Sequence, residues 1–179
     1  MSRRKRTRNS GFTLLEVMVA ILVLTIGLVG TAALMSTTVS STARSHLMST
    51  AALLASEKLE DLSRFNVNDS PVAPGGSLTA NTTNYFDNVQ ISVDNGAINE
   101  TTTTNGASTS YVQTPTSGMV VTPNAGLPAT SSDTLTFNRR WIVTNNTPTT
   151  GVRTVTVLVT ATTQAIKPQV TFQMSMVRP

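Results

Sequence analysis

Residues 12–35 read Phe-Thr-Leu-Leu-Glu-Val-Met-Val-Ala-Ile-Leu-Val-Leu-Thr-Ile-Gly-Leu-Val-Gly-Thr-Ala-Ala-Leu-Met. The nineteen residues from Val17 to Met35 carry no charge; as a helix they would cross about 28 Å of hydrocarbon. A secretory signal peptide also begins with a basic region, but its apolar stretch is shorter and ends at a small-residue cleavage site. Ala32-Ala33-Leu34 is a poor site of that kind, so the stretch is expected to stay in the mature chain as a membrane helix over about residues 14–35.

The residue out of place is Glu16. A carboxylate within hydrocarbon is costly, and intramembrane acids are usually paired and functional. Two readings fit: Glu16 sits at the cytoplasmic headgroup level, or it has a cationic partner. A cut after Gly11 would supply one, because Phe12 would then begin the chain with a free amine about one helical turn from Glu16.

Outward toward the N-terminus, Arg3, Arg4, Lys5, Arg6 and Arg8 hold five of the thirteen basic residues, leaving eight basic against nine acidic residues beyond Gly11. The net charge of +4 therefore belongs to a short arm in front of an apolar segment. The positive-inside rule explains such an arm without any nucleic-acid partner.

Ser10-Gly11-Phe12-Thr13-Leu14-Leu15-Glu16, between that basic leader and the apolar helix, resembles the class III signal of type IV prepilins and type II secretion pseudopilins. The resemblance is close over residues 8 to 35. It implies cleavage by prepilin peptidase between Gly11 and Phe12, N-methylation of Phe12, and an assembly role for Glu16, which would neutralise the amine of an adjacent subunit. Glu16-Val17-Met18-Val19-Ala20, Thr25 to Gly30 and Ala32-Ala33-Leu34 are further similar to PilV-type minor pilins and GspI-type minor pseudopilins. Major pilins commonly carry a proline at the place held here by Ala33. The partners implied are the peptidase, other minor and major pilins, the pilus assembly platform, the inner membrane and, as a further candidate, a tip adhesin.

Gly27 and Gly30 lie three apart and leave a shallow patch, either a site of close backbone approach or ordinary membrane-helix glycine. Beyond Met35 a second helical pattern appears: Leu47, Ala51, Leu54, Ala55, Leu59 and Leu62 recur at spacings of three and four. That is one buried stripe, with Glu57, Lys58, Glu60, Asp61 and Arg64 expected on the opposite face. No proline falls between Phe12 and Phe65, so a single helix over residues 12–65 is allowed, about 80 Å long. His46, the one histidine, reads as a solvated helix residue.

From Asn66 to Asp133 the periodicity mostly dissolves among prolines, glycines and the low-complexity run Thr101–Thr104, and a loop-rich insert is expected. Its exceptions are a strand at Tyr85–Val93 ending in the Asp94-Asn95-Gly96 turn signal and a weaker candidate at Thr109–Gln113. The last third alternates clearly. Leu135, Phe137, Arg139, Trp141 and Val143 form one face, then Val155, Val157, Val159 and Ala161, then Val170, Phe172, Met174 and Met176. Three antiparallel strands follow, with loops around Pro148–Gly151 and Thr163–Pro168.

The expected architecture is α+β: a leader over residues 1–11, a long helix over 12–65, and a β-rich periplasmic domain over 66–179 that packs on the outer half of the helix. With 179 residues, about one domain is expected. The absence of cysteine excludes disulfides and thiolate metal sites. Charged residues make up only 12%, whereas Thr and Ser total 50 of 179, so polarity comes from neutral hydroxyls and favours an extracytoplasmic, β-rich surface. Asp87, Asp94 and Glu100 have the ligand type for calcium but not the spacing of a ligand loop. No nucleophile–base pair, metal cluster or phosphate loop stands out, and no cofactor is implied. The expected role is structural, as a minor type IV pilin of the inner membrane with a periplasmic domain. The alternatives are a pseudopilin of a type II secretion tip and a bitopic membrane protein whose β domain binds a periplasmic ligand. The last would need neither Gly11 nor Glu16.

Overall fold

The computed structural model describes residues 12–94, 97–114, 118–123, 134–162 and 169–178. The leader with Gly11, the centre of the Asp94–Gly96 turn and the Thr163–Pro168 loop lie outside them. The chain falls into two compact units, Met1–Thr42 and Ala43–Pro179.

One helix, α1, runs over Leu14–Arg64. In the first unit it is long and apolar enough to cross a membrane, and its large apolar side chains from Leu14 to Val39 are exposed. The polar residues of this stretch are satisfied locally: the hydroxyls of Thr25, Thr31 and Thr38 donate to the carbonyls of Leu22, Leu28 and Leu34 at 2.8–2.9 Å. Such back-bonding lets a hydroxyl sit in an apolar setting without an orphaned donor.

In the second unit the expected stripe is the buried one: Leu47, Ala51, Leu54, Ala55, Leu59 and Leu62. They pack on an eight-stranded sheet. Its strands are β1 (Gly75–Gly76), β2 (Phe86–Asp94), β3 (Ala97–Thr104), β4 (Ala107–Thr114), β5 (Gly118–Pro123), β6 (Leu135–Asn145), β7 (Arg153–Ala161) and β8 (Thr171–Arg178). The order is β5-β4-β3-β2-β6-β7-β8, with β1 also paired to β6, and every pairing is antiparallel. The expected three-strand meander is β6-β7-β8. On the helix-facing side Val89, Phe137, Trp141, Val155, Val157 and Val159 close the core.

The other face explains the hydroxyl-rich composition. Register places Thr101 beside Ser110, Thr103 beside Ser108 and Thr156 beside Ser175, each pair hydrogen-bonded at 2.9 Å. Cross-strand hydroxyl pairs satisfy one another on a sheet face that is polar with few charges.

Two expectations are corrected. The strands expected at Tyr85–Val93 and Thr109–Gln113 are present as β2 and β4, but the stretch read as a loop-rich insert also holds β3 and β5, and Thr101–Thr104 is the end of β3 rather than a low-complexity loop. The turn after it is Asn105-Gly106, both with positive φ (51° and 84°), the conformation a two-residue hairpin requires. Lys58 is not on the solvent face: it is 8% exposed and belongs to the buried side of α1.

Loops are fastened by single groups. Trp141 Nε1 donates to Pro71 O at 2.9 Å and the Tyr85 hydroxyl to Ala73 O at 2.9 Å. Gly76 (φ +89°) runs so close to the strand that an added Cβ would lie 2.2 Å from Trp141 O. Arg178 donates to Leu62 O and Phe65 O, both at 3.1 Å, satisfying carbonyls at the end of α1 that the helix itself leaves unpaired.

Candidate functional site

Thr13 directly precedes α1 and caps it. Its Oγ1 accepts from the Glu16 amide at 3.3 Å, and its carbonyl accepts from Glu16 and Val17. Thr13-Leu14-Leu15-Glu16 has the spacing of a capping box, so the first turn is set locally. Glu16 lies in that turn, where the helix dipole favours an anion. Its side chain is exposed and lines one shallow apolar groove with Phe12, Val17, Ala20, Ile21 and Leu24. Phe12 and Glu16 thus line the same groove.

Gly27 and Gly30 follow on the exposed surface of α1. Nothing lies within 4 Å of where a Cβ would stand on either, so a bare strip of backbone is open to a neighbour. His46 is exposed, in the place expected of it.

The sequence reading missed a second constellation. Asp87 of β2 is 0% exposed; it accepts from Arg139 Nε at 2.7 Å and Nη2 at 3.1 Å, and Lys58 Nζ stands 3.1 Å from the same carboxylate. Lys58 Nζ also lies 4.5 Å from the Trp141 ring centroid and 3.2 Å from Asp61. Arg139 reaches the Leu54 carbonyl at 3.4 Å and Glu57 at 3.9 Å. Burial works to lower the Arg139 pKa, but Asp87's charge and hydrogen bonds, with Glu57 and Glu100, raise it above the ordinary value. This is a buried ionic joint between α1, β2 and β6, and it occupies Asp87. Among the described residues no three His, Cys, Asp or Glu side chains are grouped to hold a metal.

A signal for the joint was present. Arg139 has the parity of Phe137 and Trp141, Asp87 that of Val89 and Ile91, and Lys58 follows Leu54 by four residues and Ala51 by seven. Opposite charges on three buried faces must meet or remain uncompensated.

Residues 6–32 match the family model for the prokaryotic N-terminal methylation motif. The match covers the end of the leader and the first part of α1. Together with the long apolar helix and the antiparallel sheet, it supports a type IV pilin-like or pseudopilin-like protein. No curated protein matches the chain, and no solved structure does.

Proposed function

We propose that this chain is a minor type IV pilin, most similar to the PilV type, which acts in priming or at the tip of the fibre. The N-terminal methylation motif, with Glu16 exposed in the same groove as Phe12, carries the reading. In this scheme the precursor is inserted in the inner membrane with residues 1–11 in the cytoplasm and the sheet in the periplasm. Prepilin peptidase cuts between Gly11 and Phe12 and methylates the new amine. The apolar surface of α1, lipid-covered in the membrane, is then covered by helices of other minor and major pilins as the assembly platform draws the subunit out.

Moving the Phe12 amine from the headgroup level into a helix bundle buries a cation, which is unfavourable without an anion. Glu16 of a neighbouring subunit supplies it. The bare strip at Gly27 and Gly30 lets two helices approach closely in the same packing. Type IV pilin-like proteins are generally structural, and the role assigned here involves no catalysis.

Two measurements test the scheme. Mass analysis of the assembled protein is expected to find N-methylated Phe12 at the terminus, and Gly11→Val to block cleavage. An intact Met1 or Ser2 terminus in the fibre overturns the prepilin reading. Glu16→Gln is expected to insert and be processed normally yet fall in sheared fibres relative to membranes; an unchanged sheared-to-membrane ratio overturns the charge pairing. Loss of secretion instead of fibres on deleting the gene would select the pseudopilin.

A further inference from the structure

Helix α1 covers only part of the sheet face it packs on. Strands stand about 4.8 Å apart and a helix is about 10 Å across, so one helix covers two or three strands of a seven-strand path. Its buried stripe meets β2, β6 and β7. On the same face the register aligns Val93, Ile98, Gln113 and Met119 in one row and Ile91, Glu100, Tyr111 and Val121 in the next. Here apolar side chains stand open: Ile98 is 47% exposed, Met119 66% and Val121 50%. Among the described residues β5 lies at the edge of the sheet and carries no charged residue, although edges are commonly guarded by charge.

Between α1 and this wing lies a groove of about 390 Å³, lined by Glu57, Asp61 and Arg64 of the helix and Thr102, Thr109 and Tyr111 of the sheet. Its surroundings hold the carboxylates Glu57, Glu60, Asp61, Asp87 and Glu100 against the bases Lys58, Arg64 and Arg139. Arg64 is taken by Glu60 at 2.9 Å, and Lys58 and Arg139 by Asp87. Glu57 is left with Arg139 at 3.9 Å, and Glu100 with a long hydrogen bond from Thr102 at 3.5 Å. The Glu100 carboxyl is held above its ordinary range, first by burial and then by Glu57. The groove therefore keeps a surplus of negative charge beside an apolar shelf.

We infer that a basic amphipathic helix of another protein docks alongside α1 in this groove, its apolar side on Ile98, Met119 and Val121 and its lysines or arginines against Glu57 and Glu100. A second copy of this chain fits poorly, because the flank of α1 it would present carries Glu57, Glu60 and Asp61, like charges facing like. A strand added to the edge of β5 would use backbone groups and would not distinguish Val121 from Val120 on the opposite face. The surface lies within the Ala43–Pro179 unit and stands apart from the reading of Gly11, Phe12 and Glu16.

The test places a photoreactive amino acid at Ile98, Val121 or Val120 of the full chain, in cells making it from its own locus, and maps the cross-linked peptide by mass spectrometry. The expected result is an adduct from Ile98 and Val121 to a Lys- or Arg-bearing helix of a different protein, with little from Val120. Adding Glu57→Gln and Glu100→Gln should cut its yield about tenfold, as loss of complementary charge weakens association. The inference is overturned by no adduct, by adducts to other copies of this chain, by equal yields from Val120, by a cross-linked segment without basic residues, or by a yield indifferent to the two Gln substitutions. Processing at Phe12, read from the same peptide maps, reports separately on the pilin assignment.

Discussion

Asp87 and Arg139 stand directly opposite one another on β2 and β6, and their side chains form a two-pronged ion pair at 2.7 and 3.1 Å on the face covered by α1. Lys58 of the helix closes the same carboxylate at 3.1 Å. A fully buried anion with two cations is tolerable only while all three are present, since each would otherwise be desolvated without compensation.

Removing one member is therefore expected to be worse than removing all. Asp87→Leu alone should lose about 3–5 kcal/mol, because Arg139 and Lys58 remain buried and repel one another. The triple change Asp87→Leu, Lys58→Met, Arg139→Met should recover most of that loss. Denaturant titration of the full chain in micelles compares them; equal losses would show that water already reaches the joint.

The stripe on α1 makes a second prediction. Leu54 is 2% exposed against the sheet, so Leu54→Ala should destabilise the Ala43–Pro179 unit by about 2–5 kcal/mol. Leu54→Asp should unfold it, since an unpaired charge would replace the contact. An unchanged melting temperature for Leu54→Asp would mean that this face of the helix is unpacked.

Gly76 is expected to reject any side chain. Its φ of +89° disfavours L residues, and the nearest obstacle to a Cβ is backbone, the Trp141 carbonyl at 2.2 Å. Gly76→Ala should therefore cost more than the roughly 1–3 kcal/mol of backbone strain alone. Weaker amide exchange protection at Trp141 would report the displaced strand; wild-type protection would contradict the prediction.

Glu100 gives a pH signature. Burial, then the charge of Glu57, raises its pKa above the ordinary value of 4.5 against the opposing pull of Arg139 and Thr102. The folded chain thus holds this proton more tightly than the unfolded chain. The resulting stability is present in full below pH 4.5 and is lost as pH rises through the folded value. Glu100→Gln should remove that loss, so melting temperatures of variant and parent should diverge as pH rises above 4.5. A constant difference across that range would show that Glu100 titrates alike in both states.

Residues 12–35 made the helix and its membrane character legible, because a charge-free apolar run of that length and a local cap need no partner to be read. Leu47 to Leu62 and the alternation of β6 to β8 were legible for the same reason: each period belongs to one segment. The hairpin after Thr104 was also written locally, as Asn105-Gly106, but the threonine run before it has no apolar alternation to announce a strand. Register with β2 and β4 makes β3, by satisfying its backbone groups on both sides.

The ionic joint is of another kind. Arg139 and Asp87 share the parity of apolar strand neighbours and Lys58 the spacing of the helix stripe, although Lys58 reads as a solvent-face residue beside Glu57 and Glu60; only the order β2-β6-β7 brings residues 87 and 139 opposite one another and under residue 58. Hydrophobic period is a property of one element, whereas charge compensation is a property of the pair or triple that meets. The uncovered wing of β3 to β5 is likewise a result of assembly: Ile98 and Val121 are ordinary strand residues in sequence, and they are exposed because one helix is narrower than the sheet it covers.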